Sequence, residues 1–476
     1  MECVSPRRAG ADFSVLVVAA TLAACGGEPP PDLRQPDGWD EEVRHPVAED
    51  HDPAPDVVEV HLTAKVVSRE IVPGLVTEVW TYDGMLPGPT IRAKKGDRVV
   101  VKVDNELPEA TTIHWHGLRV PAAMDGSIHT QAPIEPGESF EYSFTVPDAG
   151  TFWYHPHIRS SAQVGAGLYG AFVVDDPAEP ALGDELVMVM SDIGIEDDGS
   201  LSPPDKSGWF GDYFGREGST LLVNGKIAPT VRARAGVPQR WRVVNAARSR
   251  YFRFTVPGQP LVRIGGDGGL VEEATAVSEV TIAPGERAEI YLSPIEGENV
   301  TIPLLDANRY NLPDEVEPID LMHFALVAEP PGHGAPPLPS PLRAIAPIDT
   351  TGARDQAVEF MEQASGEDGD NVLGINGQTD GMLTLMASTD TVEIWTLTNT
   401  TYYDHPFHLH GFFFQVLDVN GVAPAIREWR DTVNLDPKET IRIAIPFDDR
   451  AGMWMFHCHI LDHADHGMMA MLHLMP

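Results

Sequence analysis

From Asp83 onward the chain runs in short stretches of alternating apolar and polar residues broken by turn residues, and one such succession occurs three times. The first copy reads DGMLPGPTIRAKKGDRVVVKVDN (Asp83 to Asn105), the second NGKIAPTVRARAGVPQRWRVVN (Asn224 to Asn245) and the third NGQTDGMLTLMASTDTVEIWTLTN (Asn376 to Asn399). In each, a turn dipeptide opens onto a period-two run, a small turn follows, and a second alternating run ends in Asn. That pattern predicts strand, turn, strand. A second piece recurs further along each copy: IEPGESFEYSF from Ile134, IAPGERAEIYL from Ile282 and LDPKETIRIAI from Leu435. Short strands so spaced, in units of about 120 to 160 residues, predict tandem β-sandwiches of one domain each. Joints fall near Asp176 to Asp184 and in the Pro-rich stretch Pro330 to Pro341, giving units at 57–180, 181–335 and 336–476.

Composition sharpens this. With 43 Gly and 42 Pro beside a globular 42% of hydrophobic residues, the chain suits an all-β protein of many turns. Arg7 and Arg8 precede an apolar run, Phe13 to Ala24, too short to span a bilayer, so residues 1–24 read as an export signal. The run ends in LAAC, Leu22 to Cys25, which resembles a bacterial lipobox; lipid on Cys25 would tether a periplasmic or cell-surface lipoprotein. Residues 25–56, rich in Pro, Asp and Glu, read as a disordered tether. A net charge of −38 disfavours nucleic acid and anionic membranes, leaving the lipid as the only membrane contact.

Of three cysteines, Cys3 leaves with the signal and Cys25 carries lipid, so Cys458 stands alone and forms no intrachain disulfide. Ten of the 18 histidines cluster: His114 and His116; His155 and His157; His405, His408 and His410; His457, His459 and His463. Nine residues after its terminal Asn, the first copy reaches His114 and the third His408, whereas the second reaches Phe254. DAGTFWYHPH (Asp148 to His157) likewise matches DRAGMWMFHCH (Asp449 to His459), with no counterpart in the middle copy, which is expected to act as a spacer. On a strand, each His-x-His aims two imidazoles, about 6 to 7 Å apart, at one region. Cys458 points the opposite way from His457 and His459. Pro406 is expected to break the alternation so that His405 leaves the face of His408 and His410. His405, His463, a Cys458 thiolate and a more distant Met468 form the ligand set of a blue copper site.

In HWHG, HPH, HPFHLHG and HCHILDH, the chain resembles the multicopper oxidases, specifically bacterial three-domain laccase-like enzymes, over roughly Val57 to Pro476. The resemblance implies three tandem cupredoxin-like Greek-key β-sandwiches and four copper ions. A type 1 copper would take His405, Cys458, His463 and Met468; the type 2 copper His114 and His408; one type 3 copper His116, His155 and His459; the other His157, His410 and His457. It further implies oxidation of phenols or aromatic amines near an exposed edge of His463, with dioxygen reduced to two waters. Asp125 is expected to assist proton delivery. Many relatives carry Glu where this chain has Ala464, so Asp465 is the expected substitute. Oxidation of cuprous or other metal ions in copper tolerance is the alternative function, and a non-enzymatic envelope protein of the same architecture a weaker one. Met361, Met382 and Met386 are expected to pack in the core rather than bind copper, and His129, His323, His333, His466 and His473 receive no role.

Overall fold

The computed structural model describes residues 34–307, 309, 317–328, 337–364 and 370–476. The export signal, Cys25, His333 and most of the Pro-rich joint lie outside the described residues. Among the described residues the strands form six sheets, two to each repeat. The first pair comprises Val76–Tyr82, Val57–Glu70, Arg98–Asn105 and Ser139–Thr145 in one sheet, and Gly88–Lys94, Gly170–Asp175, Gly150–His155 and His114–His116 in the other. The second pair spans residues 184–326 and the third 354–475. In every repeat a long strand runs parallel to the strand that ends in the recurrent Asn: Val57–Glu70 with Arg98–Asn105, Asp184–Ile193 with Gln239–Asn245, and Arg354–Ala364 with Val392–Asn399. Parallel neighbours need a crossover, which is how the chain passes between the sheets of each sandwich.

The expected strand, turn, strand units are present, but their two strands do not pair with each other. Gly88–Lys94 and Arg98–Asn105 lie in different sheets, as do Thr230–Ala233 and Gln239–Asn245, and Thr384–Ser388 and Val392–Asn399. Each turn carries the chain across the core, so both alternating runs bury their apolar face in the same interior.

The recurrent Asn explains why the two repeated pieces travel together. Asn105, Asn245 and Asn399 are buried. Their amide groups donate to the carbonyls of Glu109 and Ile134, of Arg250 and Ile282, and of Tyr403 and Leu435. Their backbone N–H groups reach the carbonyls of Glu138, Glu286 and Glu439, each inside the second piece. One side chain thus ties the turn after its own strand to the loop ahead of the next.

Two expectations are corrected here. Residues 34–56 are docked, not disordered: Val43 is fully buried against Leu186 and Val231, the Val43 carbonyl accepts from Asn224, and Ala48 N–H donates to Thr90 O. One buried valine and backbone hydrogen bonds to strands of two repeats suffice, and periodicity cannot detect them. Met382 and Met386 are 73% and 40% exposed, outside the core, because Met382 lies in the loop ahead of the strand Thr384–Ser388 and Met386 on that strand, which is at a sheet edge. Three short helices complete the described chain: α1 (Ser160–Gly165), α2 (Gly208–Phe214) and α3 (Leu461–Asp465). Among the described residues no helix is long and apolar enough to cross a membrane.

Candidate metal centres

Strand pairing assembles the histidines. In the first sandwich His114 lies opposite His155, and in the third His408 lies opposite His457 while Phe407 lies opposite Cys458. Alternation therefore separates the two chemistries of one strand: His457 faces the eight-histidine cluster and Cys458 the sandwich core. His405 follows the same rule. Its strand, His405–Leu409, runs unbroken through Pro406, and the odd spacing from His408 alone turns His405 to the sulfur side. The expected break at Pro406 does not occur, because Pro406 pairs opposite Asn434 without having to donate.

In the sulfur pocket, Cys458 Sγ lies 3.6 Å from His405 Nδ1 and 3.5 Å from His463 Nδ1. His405 Nε2–H donates to Thr401 Oγ1 at 2.8 Å and His463 Nε2–H to the Tyr213 carbonyl at 3.0 Å, so each Nδ1 presents its lone pair to the sulfur. Met468 is buried beside them; its N–H donates to His463 O and its carbonyl accepts from Cys458 N–H. Burial pushes the Cys458 thiol well above its ordinary value, so a thiolate here needs a cation beside it.

The second cluster lies between the first and third sandwiches, with four histidines from each. His114 stacks on His410 and His116 on His408, with centroids 3.7 and 3.8 Å apart. Burial, with neighbouring imidazoles second, holds His116, His155, His157, His457 and His459 far below the ordinary imidazole value, and burial pushes His410 down to about 3. Neutral imidazole is the ligand form.

Backbone and carboxylate acceptors then fix which nitrogen is free. Nδ1–H donates to Asp125 O from His114, to Asp431 O from His408, to Asp125 Oδ2 from His410, to Pro156 O from His155 and to Cys458 O from His457. Every Nε2 in that set carries a lone pair. Yet the Nε2 atoms of His114 and His408 are 3.5 Å apart, and those of His410 and His457 are 3.2 Å apart. Lone pairs facing at such range repel, and a cation between them removes the repulsion. Among the described residues, His116 Nδ1, His155 Nε2 and both nitrogens of His459 have no hydrogen-bond partner, a costly state for buried polar atoms unless a metal takes them.

The donor set therefore fits metal, although two of its close groups, His114 with His116 and His155 and His116 with His408 and Asp431, cut across the expected assignment. Ligand atoms of His405, Cys458 and His463 lie within 4.8 Å of one another, as do those of His157, His410 and His457. His114 groups with His408 and His410. His116, His155 and His459 come together as rings 4.9 to 5.8 Å apart.

Asp125 is fully buried, where its carboxylate crosses to His410 of the third sandwich, a role beyond that of a turn residue. Gly126 makes this possible: at φ +85° it presses against Ile113, where a Cβ would lie 2.0 Å from the carbonyl oxygen. Asp465 is exposed, yet its carboxylate accepts the N–H groups of Ser160 and Ser161. It lines a cleft of about 900 Å³ that also borders His157 and Asp462.

His463 is 1% exposed, which overturns the expectation of an accessible edge. α2 of the middle repeat lies over it, with the Tyr213 carbonyl on the ring nitrogen where a substrate was expected. Trp209 stacks on Tyr213, and Phe214 and Tyr403 close the same group. Sequence reasoning also missed Asp431, Thr432, Arg287 and Thr401. Thr401 lies only four residues before His405, but the partners of Asp431, Thr432 and Arg287 are set by tertiary contacts, so only the place of Arg287 in the second repeated piece and the nearness of Asp431 and Thr432 to the third hinted at them.

These two centres are those of a copper-dependent oxidase. Family models described as Multicopper oxidase match residues 64–179, 198–299 and 354–475, and the chain belongs to that family. It is 30% identical to Multicopper oxidase mco of Staphylococcus aureus over 86% of this chain and 87% of that one. It is likewise 30% identical to Cell division protein FtsP of Yersinia pestis, over 82% and 83%. A solved multicopper oxidase from Campylobacter jejuni, described as a metallo-oxidase, superposes with a TM-score of 0.81 at 30% identity, covering 94% of this chain and 98% of that one. The chain is an oxidoreductase of cupredoxin-like sandwiches that takes electrons from a reducing substrate and uses dioxygen as acceptor.

Proposed function

We propose that the clusters hold four coppers and that the enzyme oxidises phenols or aromatic amines. The type 1 ion belongs to His405, Cys458, His463 and Met468. The type 2 ion belongs to His114 and His408, and the type 3 pair to His116, His155 and His459 and to His157, His410 and His457. Bound copper supplies one-electron redox chemistry, so four substrate electrons and four protons convert one dioxygen to two waters. One observation carries the reading: Cys458 turns its sulfur to two imidazole nitrogens while His457, adjacent in the chain, turns to the opposed lone pairs.

The remaining residues serve that traffic. Because His463 is covered, the reductant gives up its electron at the outer face of α2, where Trp209 and Phe210 are 41% and 60% exposed. Asp125 holds His410 and directs protons inside the cluster, and Asp465 does so at the mouth of the cleft beside His157. We further propose sandwich limits at 57–180, 181–335 and 336–476, and export as a lipoprotein through Cys25.

Metal analysis with an absorption spectrum tests the core of this. Four coppers per chain, an intense thiolate band in the red and a near-ultraviolet shoulder are expected; a copper-loaded preparation without colour overturns it. A second reading, a cuprous-ion oxidase, is favoured by the exposed thioethers of Met382 and Met386, soft ligands suited to Cu(I). The Campylobacter relative's description as a metallo-oxidase agrees with it. Turnover with Cu(I) far faster than with a phenol would select this reading.

A further inference from the structure

The middle repeat carries none of the expected ligands, yet it is not a spacer. Its IAPGER piece reaches the eight-histidine cluster. At the position where the outer repeats have Ser139 and Thr440, neither of them buried, the middle one has Arg287, which is 3% exposed as a residue and wholly covered at its side chain. Its guanidinium joins all three sandwiches. Nε donates to Thr151 O of the first at 3.0 Å, one terminal nitrogen to Gly285 O and another to Asp267 O of the second, and both terminal nitrogens to the Asp431 carboxylate of the third. Such a fork fits a carboxylate in one orientation only.

That orientation decides a histidine tautomer. Asp431 Oδ1 lies 3.2 Å from His116 Nε2 and accepts from Thr432 Oγ1 at 2.8 Å, while Asp431 O accepts Nδ1–H of His408. With Nε2–H of His116 committed to Asp431, its Nδ1 is left bare toward the cluster, the reverse of the five histidines whose Nδ1–H is engaged. Two residues earlier in the loop, Gly285 adopts φ +85°, and a Cβ there would stand 2.7 Å from two ring carbons of His459. A glycine is required for the loop to lie against that imidazole.

We propose that Arg287 and Gly285 are positioning residues for the three-metal cluster, Arg287 fixing His116 through Asp431 and Gly285 seating His459. This rests on the copper reading above. Carboxylates that orient ligating histidines typically contribute about 10–100-fold in metal affinity, and Arg287 acts one step behind such a carboxylate.

The test uses the full-length copper-loaded protein, wild type against R287K and G285A, with copper per chain, the red band and the near-ultraviolet shoulder recorded alongside the melting temperature. R287K keeps the charge but loses the fork. The expected result is an unchanged red band in both variants with a weakened shoulder and a loss of up to three coppers per chain on dialysis. Shoulder and copper count equal to wild type in both variants would overturn the proposal. So would parallel loss of red band and shoulder with a lowered melting temperature, since that marks a role in the scaffold alone. If the wild type itself lacks four coppers, it is the copper reading that fails, and this inference falls with it.

Discussion

The sulfur pocket and the eight-histidine cluster share a strand, but they are built by opposite means. Every expected ligand of the pocket lies between His405 and Met468, and the acceptors that orient its imidazoles, Thr401 Oγ1 and the Tyr213 carbonyl, are neutral. The cluster takes four histidines from each of two sandwiches, and its acceptors include the carboxylates of Asp125 and Asp431. The difference follows from charge. A cation held in the pocket would be compensated by the Cys458 thiolate itself, whereas cations held among neutral imidazoles would need anions from elsewhere. The pocket draws all its expected ligands from one sandwich and only the Tyr213 carbonyl from another, whereas the cluster exists only when the sandwiches are docked.

The most drastic way to separate the two is Cys458→Ser. The red band should vanish and turnover fall to background, because substrate electrons lose their entry. The near-ultraviolet shoulder and three coppers per chain should persist. Loss of all four coppers from this variant would mean that the cluster depends on the pocket and that the comparison is wrong.

Asp125→Ala strikes the other side. It removes the acceptor of His410 Nδ1–H, leaves that ring free to turn, and should weaken copper retention by the cluster about 10–100-fold with the red band intact. Copper competition by a chelator, followed at the shoulder, measures this. Asp125→Asn can still accept through its amide oxygen and should fall between the two.

A smaller effect is expected at Met468. Met468→Leu removes a weak axial donor that favours Cu(II), so the potential of the pocket should rise, on the order of tens of millivolts, and redox titration of the red band reads it directly. An unchanged potential would place the thioether out of reach of the metal and reduce the pocket to three ligands.

Much of this architecture was legible along the chain because it depends on parity and repetition. His457, Cys458 and His459 are neighbours, so their opposite facing follows from the pleat alone; the same parity places His405 on the sulfur side, and the appeal to Pro406 was unnecessary. The recurrence of Asn105, Asn245 and Asn399 marked three equivalent turns before any contact was known. What stayed hidden are contacts made across sandwiches. Arg287 and Asp431 are 144 residues apart, and His463 and Tyr213 are 250 apart. Neither pairing leaves a periodic trace. The docking of residues 34–56 was missed for a related reason: a few backbone hydrogen bonds and one buried valine look like linker composition.

The covering of His463 gives the weakest but most selective test. If electrons enter across α2, Trp209 is the surface an aromatic reductant meets, since its ring stacks on Tyr213 at 5.0 Å and its edge is exposed. An aromatic pair of this kind is worth about 0.5–1.5 kcal/mol, which corresponds to roughly two- to tenfold in kcat/KM. Trp209→Leu should therefore lower kcat/KM for a phenol by about that factor, with the loss mainly in KM. The red band should not move, because the Tyr213 carbonyl that holds His463 belongs to the backbone. Cu(I), which gains nothing from stacking, should be oxidised at an unchanged rate. Equal losses for phenol and Cu(I) would instead mean that the helix was displaced and His463 uncovered, and a rise for both would identify α2 as an obstacle to electron entry rather than its route.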